Sequence, residues 1–380
     1  MDSIYLDNAA TTPMAPEVIE EMIPFMRNYF GNPSSTHAYG RKVKDAIETS
    51  RRNIAKHLKC RPGEICFTSG GTEADNLAIQ TAVLKLGVRD IITSKVEHAA
   101  VINCVSEMEK RGMAKVHWVN LNDDASVDMD HLEELLHNNE NCLVSLMHAN
   151  NEIANRIDLN AVGALCKGHG AYFHSDTVQT MAHYTFDLEN TPIDFITGSA
   201  HKFHGPKGIG FLFHRKELGP VPMIHGGGQE RNRRAGTENI YGIIGMSKAM
   251  DISYEDLQGH YKHIYGLKTL MMEELRKVIP EVAFNGESGS EESLYTVLSV
   301  NFPDSEIASM MLFRLDIEGV ACSGGSACSS GSAKGSHVLE HVKCVNKGPN
   351  VRFSFSRYNT AADIKSCVGK LAQLMTAEVE

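Results

Sequence analysis

The sequence predicts an α/β protein: a large domain built on a mostly parallel sheet, followed by a smaller α+β domain. Three observations predict it. Between about residues 64 and 215, short apolar runs alternate with helical patterns. Several of those runs end in polar, hydrogen-bonding residues at comparable offsets. After residue 215 the alternation stops, giving way to a Gly- and Arg-rich loop, a long helical stretch and then mixed strands and helices.

Taken in order, Tyr5 to Pro13 begins extended and turns small and polar. Pro16 to Tyr29 has helical spacing, and Pro24 is expected to kink or split that helix. Gly31 to Ser35 reads as a loop and Lys42 to Leu58 as a helix. Strands are expected at Glu64–Phe67, Asp90–Ile92, Cys142–Met147, Ala171–Phe173, Phe195–Ile196 and Ile209–Phe213. Helices are expected between several of them, at Glu73–Leu86, Ala99–Arg111, Met129–His137 and Leu159–Gly168. Asn239 to Ile279 reads as mostly helical and stops at Pro280. Beyond it come a strand at Leu294–Phe302, a helix at Ser305–Ile317, a strand at Val351–Ser356 and a helix at Ala361–Met375. We divide the chain into a large domain over 13–250 and a small domain from 1–12 and 251–380.

The composition, 42% hydrophobic and 22% charged over 380 residues, is that of an ordinary globular protein. The net charge of -10 gives a nucleic-acid role no support. No apolar run reaches the ~18 residues of a membrane span. The first residues have neither a basic region nor a long apolar core, so no targeting peptide is expected and the cytoplasm is the expected location. Nine scattered cysteines without a Cys-x-x-Cys pair argue against a disulfide framework or a structural zinc site.

Ligands of open α/β sheets bind beyond the carboxyl ends of the strands. Five strand ends carry the candidates. Gly70-Gly71-Thr72 opens a helix, where free N–H groups suit a phosphate; a tight turn with a Thr cap is the plainer alternative. His98 suits ring stacking or proton shuttling, against a hydrogen-bonded core histidine. Asn151 is a donor for a phenolate or carboxylate, against a turn former. Asp176 suits a protonated ring nitrogen, against a helix cap, and Gln179 lies one turn further on. In Gly198 to Gly208, Lys202 stands in a polar turn between two core strands. Desolvation there lowers the pKa of an amine and suits it to a Schiff base. A surface hairpin lysine is the alternative. A phosphate cradle, a carboxylate for a pyridinium, amide and imidazole contacts and a Schiff-base lysine are together the requirements of pyridoxal 5'-phosphate.

Two further features stand outside that set. Ser323 to Ser332 is dominated by Gly and Ser, so a flexible loop is expected, and Cys328 within it is an exposed thiol able to ionise and attack. Cys322 follows apolar residues and reads as core. Arg352, between apolar neighbours in a strand, could fork onto a substrate carboxylate or form a structural salt bridge.

With these residues in view, the sequence resembles the cysteine desulfurases, the NifS/IscS-type members of the class V aminotransferase group. The resemblance covers nearly the whole chain. It is carried by Tyr5 to Thr12, Thr68 to Glu73, Asn150-Asn151-Glu152, Ser199 to Lys202, Gly226 to Glu230, Arg234 to Asn239 and Gly325 to Ser330. The spacing from Cys328 to Ser336-His337 resembles the long-loop, type I subgroup.

The resemblance implies a fold-type I pyridoxal-phosphate transferase of the aspartate aminotransferase kind, acting as a homodimer. Lys202 would hold the cofactor and act as base, His98 would stack on the ring, Asp176 would take its nitrogen and Gln179 its phenolic oxygen. Gly71, Thr72, Ser199 and His201 would bind the phosphate, joined by Thr237 of the neighbouring subunit. Asn151 and Arg352 would fix the carboxylate of L-cysteine. Cys328 would take the sulfur as a persulfide, releasing alanine, and pass it to a sulfur acceptor or iron–sulfur scaffold protein. No standing metal site is implied, although Cys328 could serve as a transient iron–sulfur ligand.

Three departures from the family pattern concern loop geometry: Ala154 to Ile157, Asn232 and Ser356. Rival expectations are a selenocysteine lyase, another class V lyase or aminotransferase without persulfide chemistry, and a non-catalytic sulfur or iron–sulfur carrier.

Overall fold

The computed structural model describes residues 3–304, 310–324 and 336–376. In chain order the strands are β1 Ile4–Tyr5, β2 Ile65–Thr68, β3 Asp90–Thr93, β4 Lys115–Trp118, β5 Leu143–Ser145, β6 Tyr172–Asp176, β7 Phe195–Ser199, β8 Gly210–His214, β9 Ala283–Phe284, β10 Val297–Asn301, β11 Val320–Ala321 and β12 Asn350–Ser354. The helices are α1 Pro16–Arg27, α2 Ala38–His57, α3 Gly71–Leu84, α4 Ala99–Lys110, α5 Met129–Asn138, α6 Leu159–Gly168, α7 Gln229–Asn232, α8 Ile240–Glu255, α9 Leu257–Val278, α10 Met311–Ile317 and α11 Ala361–Thr376.

The main sheet has the order β2-β8-β7-β6-β5-β3-β4. Only β8 runs against the others, pairing antiparallel with both β7 and β2. The expected mostly parallel sheet is therefore present. Its central strands are buried on both faces, as sheets covered by helices require. One large core joins these strands to α1, α2, α6 and α8. A second core gathers α9, β10, β12 and α11, with Ile4 and Leu6 from the start of the chain. Here β10 lies between β12 and β9, both antiparallel to it.

Some expectations need correction. Pro24 does not split α1, which runs on to Arg27. It stands in the last turn, where the Glu20 carbonyl it leaves unpaired belongs to an exposed residue that water can satisfy. The second helix begins at Ala38, four residues early, because His37 caps it by accepting from the Gly40 N–H at 3.3 Å. β4 was not expected: Lys-Val-His-Trp has no continuous apolar run, and as the sheet edge it buries little. Residues 305–309 of the expected helix at Ser305–Ile317 lie outside the described set.

Candidate functional site

The loops following β2, β3, β5, β6 and β7 meet at the carboxyl edge of the parallel strands and enclose a cavity of about 220 Å³. Gly71, Thr72, His98, Asn151, Asp176, Gln179, Ser199, His201, Lys202 and Arg352 all line it. Two expected residues are not among them. Thr237 lines a separate cavity of about 230 Å³ with Ser69, Arg234 and Gly236. Cys328 lies outside the described residues.

β2 delivers Ser69-Gly70, and α3 starts at Gly71 with Gly70 as a cap that has no side chain to satisfy the first N–H groups. Thr72 is thus inside the first turn and not the cap. Gly71 is required by packing: an added Cβ would stand 2.7 Å from Val178 Cγ2. The Ser69 N–H donates to Glu73 Oε2 at 2.8 Å, and Arg234 donates to the same carboxylate at 3.0 and 3.3 Å. This ties the helix start to the loop that carries Thr237.

His98 caps α4, its Nδ1 accepting from the Ala100 N–H at 3.2 Å. Burial holds its pKa below the usual imidazole range; Asp176 opposes that, while Lys202 and His337 add to it. The ring is neutral at pH 7. His201, beside Lys202 and Lys207, is lowered to about 4, again chiefly by burial. Asp176 Oδ1 accepts from the Val178 N–H at 2.8 Å in an Asx turn, with no helix to cap. Burial and the neighbouring Asp75 carboxyl push its pKa up, and His98 and His174 counter them.

Lys202 ends the 3-10 turn Ala200–Lys202 between β7 and β8. Its ammonium donates to the carbonyls of Ala9 at 2.5 Å and Ala10 at 2.9 Å. Gln179 Nε2 donates to the same Ala9 carbonyl at 3.1 Å. Arg352 is the buried salt bridge considered as the alternative, donating to Asp7 at 2.9 Å and to the Asn151 carbonyl at 2.8 Å. It also lines the cavity, and its buried Nε has no partner. Cys322 is half-buried against the second core rather than fully inside it.

Sequence reasoning missed four contributors. The Ala9 and Ala10 carbonyls carry no side-chain signal at all. Asp7 is paired with an arginine 345 residues away. Asp75 had a weak signal: it sits four residues after Gly71, on the same face of α3. The flagged departures resolve into two kinds. Ala154 and Asn232 have left-handed φ of 64° and 65°, where glycine is favoured, whereas Ser356 lies outside that region.

A doubly covered, mostly parallel sheet with a lysine, a carboxylate and a helix start around one cavity defines a fold-type I pyridoxal-phosphate enzyme. The chain belongs to the class-V aminotransferase family, whose model matches residues 4–367, and within it to the NifS/IscS-type members. It is 40% identical over 376 residues to "Cysteine desulfurase IscS" of Dictyoglomus turgidum, covering 98% of this chain and 94% of that one. A solved structure described as a NifS-like protein superposes with a TM-score of 0.90 at 34% identity, covering 99% of this chain and all of that one. A second, "SspA in complex with cysteine", superposes at 0.79 with 30% identity, covering 94% of this chain and all of the other.

Proposed function

We propose that this chain is a cysteine desulfurase that uses pyridoxal 5'-phosphate to move sulfur from L-cysteine onto Cys328, leaving L-alanine. The gathering of ten expected residues from separate strand ends around one cavity carries this reading. The donor set fits the cofactor. Gly71 and Thr72 offer uncapped N–H groups for the phosphate with Ser199 and His201, Asp176 suits the ring nitrogen, and the Lys202 amine suits the aldehyde. His98, neutral, suits stacking on the ring, and Gln179 its phenolic oxygen. The bound group supplies an electron sink adjoining the substrate Cα.

The chain's own residues do the rest. Asn151 and Arg352 hold the substrate carboxylate. The Lys202 amine removes the proton at Cα and returns one to the product. The Cys328 thiolate attacks the substrate sulfur, an S–S bond forms, the C–S bond breaks, and the three-carbon skeleton leaves as alanine. Both flanks of the Cys328 segment support its reach. Ser323 pairs with Arg352 through the backbone, and Ser336 Oγ donates to the Glu152 carboxylate. Cys328 is four residues from Gly324, a contour of at most about 14 Å.

We carry forward four finer expectations. Thr237, exposed and away from the cavity, suits a homodimer in which it reaches the partner's phosphate site. A sulfur acceptor or iron–sulfur scaffold protein takes the persulfide, and the cytoplasm is the setting. The division at 13–250 against 1–12 plus 251–380 accords with Ile4 and Leu6 packing in the second core.

The test is release of alanine and sulfide from free L-cysteine, with and without thiol reductant. Alanine is expected in both cases, but sulfide in quantity only with reductant. Cys328→Ala should keep an absorbance band near ~420 nm and lose sulfide release. Absence of that band in the parent protein, or its survival in Lys202→Ala, rejects the reading.

A further inference from the structure

One carboxyl in the cavity is unused by the chemistry above. Asp75 projects from α3 and is only 1% exposed, yet no donor reaches either of its oxygens in good hydrogen-bond geometry, with the Thr197 hydroxyl and His174 as its polar neighbours. Buried carboxyls left this way are rare, because an unpaired acid in a dry site gives up the hydration that stabilises its charge. Its surroundings are as unusual. His174 Nε2 stands 3.4 Å from Asp75 Oδ1, while His174 Nδ1 meets the Ser145 hydroxyl at 2.8 Å. His174 and Asp176 lie two apart on β6, so both project from the same sheet face, the one α3 covers. Asp75, His174 and Asp176 thus form one buried cluster opening into the cavity.

We propose that Asp75 is a positioning residue whose carboxyl, paired electrostatically with Asp176 across His174, holds the proton on the ring nitrogen of bound pyridoxal 5'-phosphate. This rests on the function proposed above and adds to it a second acid behind the one that contacts the ring.

The electrostatics agree with the geometry. Two carboxyls in one dry pocket cannot both ionise, so without a cation the pair retains a proton. Burial pushes Asp75 up to about 7, with the Thr197 hydroxyl opposing, and the Asp75 charge in turn raises Asp176. The other titratable groups facing the pair are His98 and Cys104 from α4 and Glu97 from the preceding turn. Burial disfavours the charged form of each, lowering the imidazole and raising the carboxyl and thiol. His174, lowered to about 4 by burial, is neutral as well. The Lys202 ammonium lines the same cavity and donates to the Ala9 and Ala10 carbonyls, while among Asp75, His174 and Asp176 themselves there is no cation to balance two carboxylates. A bound pyridine ring would supply one: the proton shared by the carboxyls would pass to the ring nitrogen, leaving both carboxyls ionised beside a pyridinium, and the pair's second charge would make loss of the ring proton harder.

The test labels the cofactor with ¹⁵N at the ring nitrogen and follows its resonance against pH in the loaded protein. Asp75→Asn removes the charge and keeps the shape. The protonated-to-unprotonated ratio of the ring nitrogen should fall about tenfold, moving its titration roughly one pH unit lower. Asp75→Glu should move it back. Asp75→Ser serves as a second neutral variant, and it should shift in the same direction. Relieved of a buried acid without a well-formed hydrogen bond, cofactor-free Asp75→Asn should also unfold at no less urea than the parent. A ring nitrogen that titrates alike in parent and neutral variants overturns the proposal. So does a cofactor-free variant that loses stability while the resonance stays unchanged, since Asp75 would then be only structural. If the labelled cofactor does not bind the parent protein at all, the function proposed above fails instead.

Discussion

Lys268 offers a quantitative test of how burial sets proton affinity in this fold. It lies on α9 with no exposed surface, and its ammonium donates only to neutral oxygens, Ser293 Oγ at 2.7 Å and the Leu294 carbonyl at 3.0 Å. Burial lowers its pKa from 10.5 to about 7. Above pH 10.5 the amine is neutral folded or unfolded, and there is no penalty. As pH falls from 10.5 to 7 the unfolded chain takes a proton that the folded chain does not, so stability drops across that window. Below 7 the full difference of ~3.5 pKa units stands, about 5 kcal/mol.

Lys268→Met removes this dependence but strips both oxygens of a donor, which costs about 1–3 kcal/mol. The variant should therefore be more stable than the parent by about 2 kcal/mol at pH 6.5 and less stable at pH 10.5, the difference sliding by about 4 kcal/mol. Urea unfolding of the two cofactor-loaded proteins across that range measures it. Only the difference matters, because every other titrating group is common to both. A difference that stays constant to within about 1 kcal/mol refutes the reasoning.

Two other substitutions probe the surroundings of the cavity. Glu230 accepts from Arg51 at 2.7 and 2.8 Å and from the Phe67 N–H at 2.9 Å, all buried. Glu230→Gln leaves the buried Arg51 guanidinium with Glu48, 3.1 Å from its Nε, as its remaining counter-charge and should cost about 3 kcal/mol in urea unfolding, with Arg51→Met in the same chain recovering part of it. At Ala154, buried with φ of 64°, Gly trades relief of strain against a lost methyl and added chain entropy. It should stay within about 1 kcal/mol of the parent, while Val should cost more than about 2 kcal/mol in thermal unfolding.

Much of the site was legible because strands buried on both faces must be apolar. Ile65-Cys66-Phe67, Ile91-Ile92 and Phe195-Ile196 announce themselves, and the polar residues that follow them stand out. What stayed hidden lacks such contrast. β4 is an edge strand with one buried residue, Val116. Several left-handed positions, among them Ala154, Glu230, Arg231 and Asn232, are held by residues other than the glycines that usually mark them.

By itself the sequence determined the alternation of strands and helices, the strand-end motifs and the chemistry each can perform, Lys202 foremost. These are local properties: a hydrophobic period, a turn, a side chain's functional group. Tertiary structure decided which of those groups share a cavity, that the Lys202 ammonium meets the Ala9 and Ala10 carbonyls, that Arg352 answers Asp7, and that Thr237 stands apart. It alone brought Asp75 up to the Asp176 cluster. Proton affinity and charge pairing depend on distance and local dielectric, and residues far apart in the chain acquire both only when the sheet closes around them.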